Sequence, residues 1–549
     1  MLPDRHDARS DVLAPWIVGA LLAAPVLITR YPPMGDLPFH EAMVAILGHL
    51  KDPAFAPTGL YGSNLGPPNQ LFHLLAWLLS RVFATDTACK LVVAAVILAT
   101  PVTAARLAQH LGASRWTALV VAPLAIGWTF RWGLAANMLG FALLLGALPS
   151  LDRLSEAPSI RRAAQAVVFT VLLYFAHESA MVIYGLAGFI FLARAPLRLR
   201  SLALAVSPIL ACIALALFFE LHAESVKAPS IRTVHPTFQP IGEKLTSLPG
   251  AAFSAQALSL PLFCLMLAAF VAFAWPRFRG MRLPKLGAPR AVVAQYRFEL
   301  VAFACFVAYL AMPLAMGGAT LIYHRFLPAA LALAVIGGAA RGLDRQGPSE
   351  AFARMFAFVL PIAALGAITP SFLNANTSYR DLDVVLAQIK DDSAVAQLDL
   401  TPKPPGLANI VGAGARALAV HGGRMLFSYT DGALMSPVLM PMEHRWNEPA
   451  LRMTSNPYAF CPSHDLTRFR YVLVRNTEPN VTDLITRAFL PEGKLIAHAG
   501  VWMLFESTLE TASLMAPDAP FPSPPPESLL DRIRKLLPPP GPKVDDDEE

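Results

Sequence analysis

From about residue 12 to 370 the chain alternates long apolar runs with short polar connectors, and then it changes character. Runs close to the ~20 residues that cross a hydrocarbon core fall at 12–29, 88–107, 115–130, 132–150, 163–177, 179–194, 201–221, 255–275, 298–316, 325–341 and 352–370. This pattern predicts a polytopic α-helical membrane protein, with about eleven transmembrane helices in residues 1–370. The segment 69–84 (NQLFHLLAWLLSRVFA) is shorter and carries His73 and Arg81, which predicts an interfacial helix instead. The first run, Val12 to Ile28, leads into Thr29-Arg30-Tyr31-Pro32-Pro33 with no small-residue cleavage site, and reads as a retained first helix.

Beyond 370 the periodicity is that of a mixed α/β domain, residues 371–516. Tyr379 to Lys390 and Val481 to Phe489 read as helices; Ala394 to Leu400, Phe469 to Arg475 and Gly500 to Glu506 read as strands. Met442 to Pro457, with Glu443, His444, Arg445 and Trp446 together, is the most site-like stretch of this domain. Residues 517–549 are Pro-rich, include a basic amphipathic stretch (Leu529 to Leu537) and end in acidic residues, which predicts a disordered tail.

Composition agrees with a membrane protein: of 549 residues, 55% are hydrophobic and 15% charged, against roughly 25% charged in soluble domains. The net charge of +6 would suit nucleic acid only if it formed a patch. The basic residues instead lie in the connectors, so no nucleic-acid partner is expected and the surplus reads as topology. With the N-terminus inside, the inner connectors take Arg106, Arg115, Arg153, Arg161, Arg162, Arg194, Arg198, Arg200, a cluster from Arg277 to Arg297, Arg341 and Arg345. Loop 30–87, the turn His177-Glu178, loop 222–254, loop 317–324 and the C-terminal domain then face outside. Heavy use of Ala, Arg and Pro with short connectors suggests a bacterial inner membrane. The five cysteines form no disulfide framework or zinc pattern.

Candidate chemistry gathers at the outer face. Asp36, His40 and Glu41 follow the first helix immediately, where a carboxylate meets both membrane-borne and aqueous molecules. Asp36 also suits an N-cap for a helix over 38–50. Arg131, His324 and Arg325 lie at span ends, where they can contact a phosphate or snorkel to headgroups. His177 and Glu178 form either a solvated hairpin turn or, with Asp36 and His40, a site for Mg²⁺ or Mn²⁺. Lys227 and Arg232 are further cations on the mid-chain loop.

Several features together resemble the GT-C superfamily of multi-span glycosyltransferases that use polyprenyl-phosphate sugars. They are Gly35-Asp36-Leu37-Pro38-Phe39-His40-Glu41 in the first outer loop, the surface helix PPNQLFHLLAW (67–77), and the helix end ARLAQHLG (105–112). The long loop 222–254, the segment Tyr323-His324-Arg325-Phe326-Leu327-Pro328 and the C-terminal outer domain extend the resemblance. It implies an inverting enzyme that moves a sugar from a polyprenyl-phosphate donor to a glycolipid, polysaccharide or protein, with Asp36 as general base. The loop has Gly-Asp-Leu-Pro where a more familiar Asp-Glu pair stands in the family. Glu41 is the alternative carboxylate, and His40 an alternative acceptor-positioning group. Two rival functions are a transporter or flippase of lipid-linked glycans and a non-catalytic assembly partner. A transporter is expected to show repeats and midplane polar residues, whereas here no clear repeat is found and the polar residues cluster at one face.

Overall fold

The computed structural model describes residues 5–225, 235–279, 289–316, 319–340, 348–401, 412–426, 428–431, 435–446, 452–453, 456–516, 522–523 and 525–537. Lys227, Arg232 and part of Met442 to Pro457 lie outside them.

The membrane module begins with α1 (Arg5–Ile28), α2 (Leu37–His49), α3 (Leu71–Leu79) and α4 (Thr85–His110). At about 1.5 Å per residue, α3 is too short to cross a bilayer, as the interfacial reading requires. The run 115–130 is not one helix but α5 (Thr117–Val121), a 3-10 stretch (Ala122–Ile126) and α6 (Trp128–Trp132). Pro123 removes a backbone donor, and a side chain on Gly127 would come within 2.2 Å of the Ala252 carbonyl oxygen. Irregular backbone at membrane depth persists only where protein covers it, and residues 117–130 are all buried.

Next come α7 (Ala135–Glu156), α8 (Ile160–Ala176), α9 (Glu178–Phe191) and α10 (Leu199–Ser225). Two short outer helices follow, α11 (Ile241–Thr246) and α12 (Leu248–Phe253), then α13 (Ser259–Arg279), α14 (Pro289–Gln295), α15 (Arg297–Ala311), α16 (Leu327–Ala339) and α17 (Pro348–Tyr379). Among the described residues, 85–110, 135–156, 199–222 and 354–386 are helical, long and apolar enough to cross a membrane; Val12–Ile28, Ser259–Ala274 and Tyr323–Ala339 are shorter apolar helices. The central packing runs α1 on α4, α4 on α7, and α7 on α8 and α9, with α15 on α9 and α16.

At the expected inner ends of these helices, Asp152 is buried and accepts bonds from Arg194 Nη1 (2.8 Å), Arg297 Nε (2.6 Å) and Arg297 Nη2 (2.8 Å), with His110 Nε2 also at 2.8 Å. Arg194 and Arg297, topology markers in the sequence, thus join the 3-10 turn after α9 and α15 to α7, and His110 adds α4.

α17 runs nine residues past the expected boundary at 370, to Tyr379. The helix predicted over 379–390 is reduced to α18 (Leu382–Leu386). The short strands β1 (Gly62–Ser63), β2 (Ala315–Met316) and β3 (Ala319–Thr320) belong to the outer loops. The C-terminal domain carries β4 (Ala394–Asp399), α19 (Ala415–His421), β5 (Arg424–Met425), β6 (Val438–Leu439), β7 (Tyr471–Arg475), β8 (Gly493–Ala499) and β9 (Trp502–Ser507). Its five-stranded sheet has the order β5-β4-β7-β9-β8, with β4 parallel to both neighbours and β9 antiparallel to β7 and β8.

The disorder expected over 517–549 does not extend to Leu529–Leu536, which is helical. Ser528 and Asp531 form a capping box, Leu529 is fully buried, and Arg532 pairs with Glu492 at 2.7 and 2.9 Å. The composition of the tail hid this because eight amphipathic residues need only one apolar groove to fold against.

Candidate functional site

Loop 29–36 turns back from α1 and is clamped between two glycines. The Gly35 and Asp36 amides donate to the carbonyls of Arg131 (3.0 Å) and Trp132 (3.1 Å) at the end of α6. Gly133 turns there with φ +78, and a side chain on it would lie 2.5 Å from the Asp36 nitrogen. On the other side, a side chain on Gly412 would meet the Gly35 carbonyl at 2.8 Å. Gly133→Ala should therefore push Asp36 out of place and put alanine in a left-handed conformation. Both changes strain the folded chain, so the expected result is a lowered Tm in detergent.

Asp36 stands at the N-cap position of α2 but makes no side-chain capping bond. Its carboxyl is instead hydrogen-bonded to the Tyr429 hydroxyl from the C-terminal domain and feels the charge of Arg325. Burial raises its pKa to about 6, with the Tyr429 bond and the Arg325 charge opposing the shift.

His40 and Glu41 are committed elsewhere. His40 is buried between His73 (Nδ1 to Nε2, 2.8 Å) and the Gly133 carbonyl (Nε2, 3.1 Å), and burial lowers its pKa to about 4. Glu41 is buried against Arg416 of α19 at 3.2 Å, and that guanidinium lies 4.4 Å over the Tyr31 ring. Both residues join α2 to its neighbours.

Arg325 Nη1 donates to Glu178 Oε1 at 2.9 Å and Nη2 to the Thr320 carbonyl at 3.1 Å; its buried Nε has no hydrogen-bond partner. Glu178 starts α9, and its amide donates to Asn69 Oδ1 at 2.9 Å. His177 caps α9 through Nδ1, which accepts from the Ser179 amide, while its Nε2 lies 3.5 Å from Arg325. The pair His177-Glu178 is thus a helix start held by an arginine and not a solvated turn. His324 is sandwiched between Trp128 and Tyr323, at 3.9 Å from each ring. Arg131 Nη1 donates to the Ser254 carbonyl at 2.9 Å.

Asp36, Arg325 and Glu178 with His177 thus lie near one another, while His40, Glu41 and Arg131 are engaged in packing bonds around them. Among the described residues no three His, Cys, Asp or Glu side chains gather as a metal site, so no step is assigned to a metal here. Tyr429 is the residue that sequence reading missed. It lies 393 positions from Asp36, in a short 3-10 turn without a motif.

No known protein-family profile matches the chain, and no curated protein matches it by sequence. Solved structures do match. ArnT from Cupriavidus metallidurans in the apo state aligns over 93% of this chain and 100% of its own, with a TM-score of 0.54 at 11% identity. The chain has the fold of ArnT. The structure of the same protein bound to undecaprenyl phosphate aligns over 93% of this chain and 99% of its own, again with a TM-score of 0.54, at 12% identity. Arabinofuranosyltransferase AftD from Mycobacteria aligns over 90% of this chain and 42% of its own, with a TM-score of 0.44 at 18% identity. Asp36 occupies the loop after the first helix, where Tyr429 of the C-terminal domain reaches it.

Proposed function

We propose that this protein is an inverting glycosyltransferase of the bacterial inner membrane, with its C-terminal domain outside the cytoplasm. It transfers a sugar from a polyprenyl-phosphate donor to a glycolipid, polysaccharide or protein. The observation that carries this reading is the Asp36 carboxyl, which does not cap its helix and is raised to a pKa of about 6 at the loop after the first helix of a GT-C fold. A structure of ArnT holds undecaprenyl phosphate, which supports the same class of donor here.

In the reaction, an acceptor hydroxyl attacks the anomeric carbon as its proton passes to Asp36. The bond to the phosphate oxygen breaks on the opposite face, and polyprenyl phosphate leaves. Arg325, whose Nε has no partner, offsets the charge on that phosphate. The outer loop and the C-terminal domain face the same side, since β1 pairs with β6 and Glu41 with Arg416. A flippase would need a polar path through the bundle, whereas the polar groups described above lie in two separate sets at its opposite ends, Asp36, Glu178 and Arg325 at one and Asp152, Arg194 and Arg297 at the other.

Mass spectrometry of surface glycans from a deletion strain tests the reading. A sugar-sized mass should disappear and return with the wild-type gene. Loss of whole glycans with accumulation of their complete lipid-linked precursors would point to a flippase and overturn it.

The acid limb of the rate is a further prediction. Asp36 must be ionised to accept a proton, so kcat/KM in proteoliposomes should fall below a pH of about 6, by roughly tenfold per unit. A limb near 4 would mean that an exposed carboxylate is the base.

A further inference from the structure

We propose that Tyr429 is the positioning residue that aims the Asp36 carboxylate at the acceptor hydroxyl, so that the site is complete only when the C-terminal domain is docked on the membrane module. This rests on the general-base reading of Asp36.

A carboxylate at a helix start would ordinarily turn back to bond the N2 or N3 amides. Asp36 does not: its backbone is αR (φ −92, ψ −4) and Pro38 offers no amide at N2, and the Tyr429 hydroxyl holds its carboxyl instead. Tyr429 can do so because its ring is fixed against α2, 4.9 Å from Phe39 and 6.1 Å from His40. The turn that carries it is fixed as well. Thr430 is fully buried, its carbonyl accepts from the Met440 amide at 2.9 Å, and its own amide donates to Ser428 Oγ at 3.3 Å. Two separate contacts hold the domain over α2: the ion pair of Glu41 with Arg416, and the pairing of β1 with β6.

The hydroxyl donates to the charged form of Asp36 and leaves the other carboxylate lone pairs for the acceptor. It therefore favours both the orientation and the ionisation that a base needs. Among the described residues, the ionisable groups that act on Asp36 are Tyr429 and Arg325. The nearby His40 has both ring nitrogens engaged, by His73 and by the Gly133 carbonyl.

Tyr429→Phe keeps the ring packing and removes only the hydroxyl. The acid limb of kcat/KM should then move up by about one pH unit, with a loss of about fivefold at pH 6 and a smaller loss at pH 8. The KM for the polyprenyl-phosphate sugar should be little changed. A purely structural role would lower activity evenly across pH and leave the limb in place, and that result would overturn the proposal. The double variant Glu41→Gln/Arg416→Met loosens docking without touching Tyr429 and should move the same limb in the same direction. Should Tyr429→Phe not yield folded protein, an unmoved limb in this double variant would overturn the proposal by itself. Asp36→Asn separates the two ideas: full activity there would remove the general-base reading, whereas an inactive Asp36→Asn with an unmoved limb in Tyr429→Phe would remove only the positioning role.

Discussion

Asp36→Asn should lower kcat/KM by about 10²–10⁴-fold while making the folded protein more stable, by roughly 1–3 kcal/mol at pH 7. The two effects have one cause. Burial raises the Asp36 carboxyl from 3.8 to about 6 in the folded chain, so the native state binds a proton more tightly than the unfolded state. The stability linked to this group is fully present below the unfolded pKa and is lost as pH rises through the folded one, so at pH 7 the folded chain carries an unfavourable charge. Asparagine removes that charge and can still accept a bond from Tyr429, but it has no basic site for the acceptor proton. Thermal unfolding in detergent at pH 5 and pH 8, beside rate measurements, checks both halves. The gain in Tm should be larger at pH 8. A variant that is inactive and also less stable at both pH values would mean that Asp36 is a structural residue.

Asp152→Ala should destabilise the membrane module by about 3–5 kcal/mol, with little role in chemistry at the opposite end of the bundle. The carboxylate is 1% exposed and is the shared acceptor for Arg194 and Arg297, with His110 beside it. Alanine would leave Arg297 without its carboxylate and Arg194 with Glu156 alone, at 2.9 Å. Breaking one side of a buried ion pair costs more than the pair itself contributes, because the remaining charges stay desolvated. Loss of monodisperse protein on extraction, or a marked fall in Tm, is the expected readout. Asp152→Asn should lie between alanine and wild type, because its amide keeps an acceptor oxygen without the charge. Wild-type stability in Asp152→Ala would show that the arginines reach water at the inner surface and that the node holds nothing together.

The structure separates what can be read along the chain from what cannot. α4, α7, α10 and α17 were legible because a bilayer span must be long and continuously apolar; the interfacial helix was legible because it is too short and carries His73 and Arg81. The strands β4, β7 and β9 and the helix Thr482–Phe489 were likewise legible by period. β8 was not foreseen, because Leu495, Ile496 and Ala497 run together without the apolar–polar alternation that marks a strand. The break of 115–130 into α5, a 3-10 stretch and α6 was hidden inside an apolar run, since hydropathy records burial and not backbone geometry.

Position along the chain was enough to single out Asp36, Arg325, His177 and Glu178, because charges at the ends of apolar spans are few and costly. It could not separate Asp36 from His40 and Glu41, which are within five residues of it and have similar chemistry. Only packing decided that. His40 and Glu41 found buried partners in His73 and Arg416, and Asp36 was left with its carboxyl on Tyr429, a residue from a different domain. Sequence alone therefore determined where the long apolar helices lie, because the solvent imposes them locally on each segment. How Asp36, His40 and Glu41 are partnered depends on which distant groups reach each of them, and that is settled only when the chain is folded.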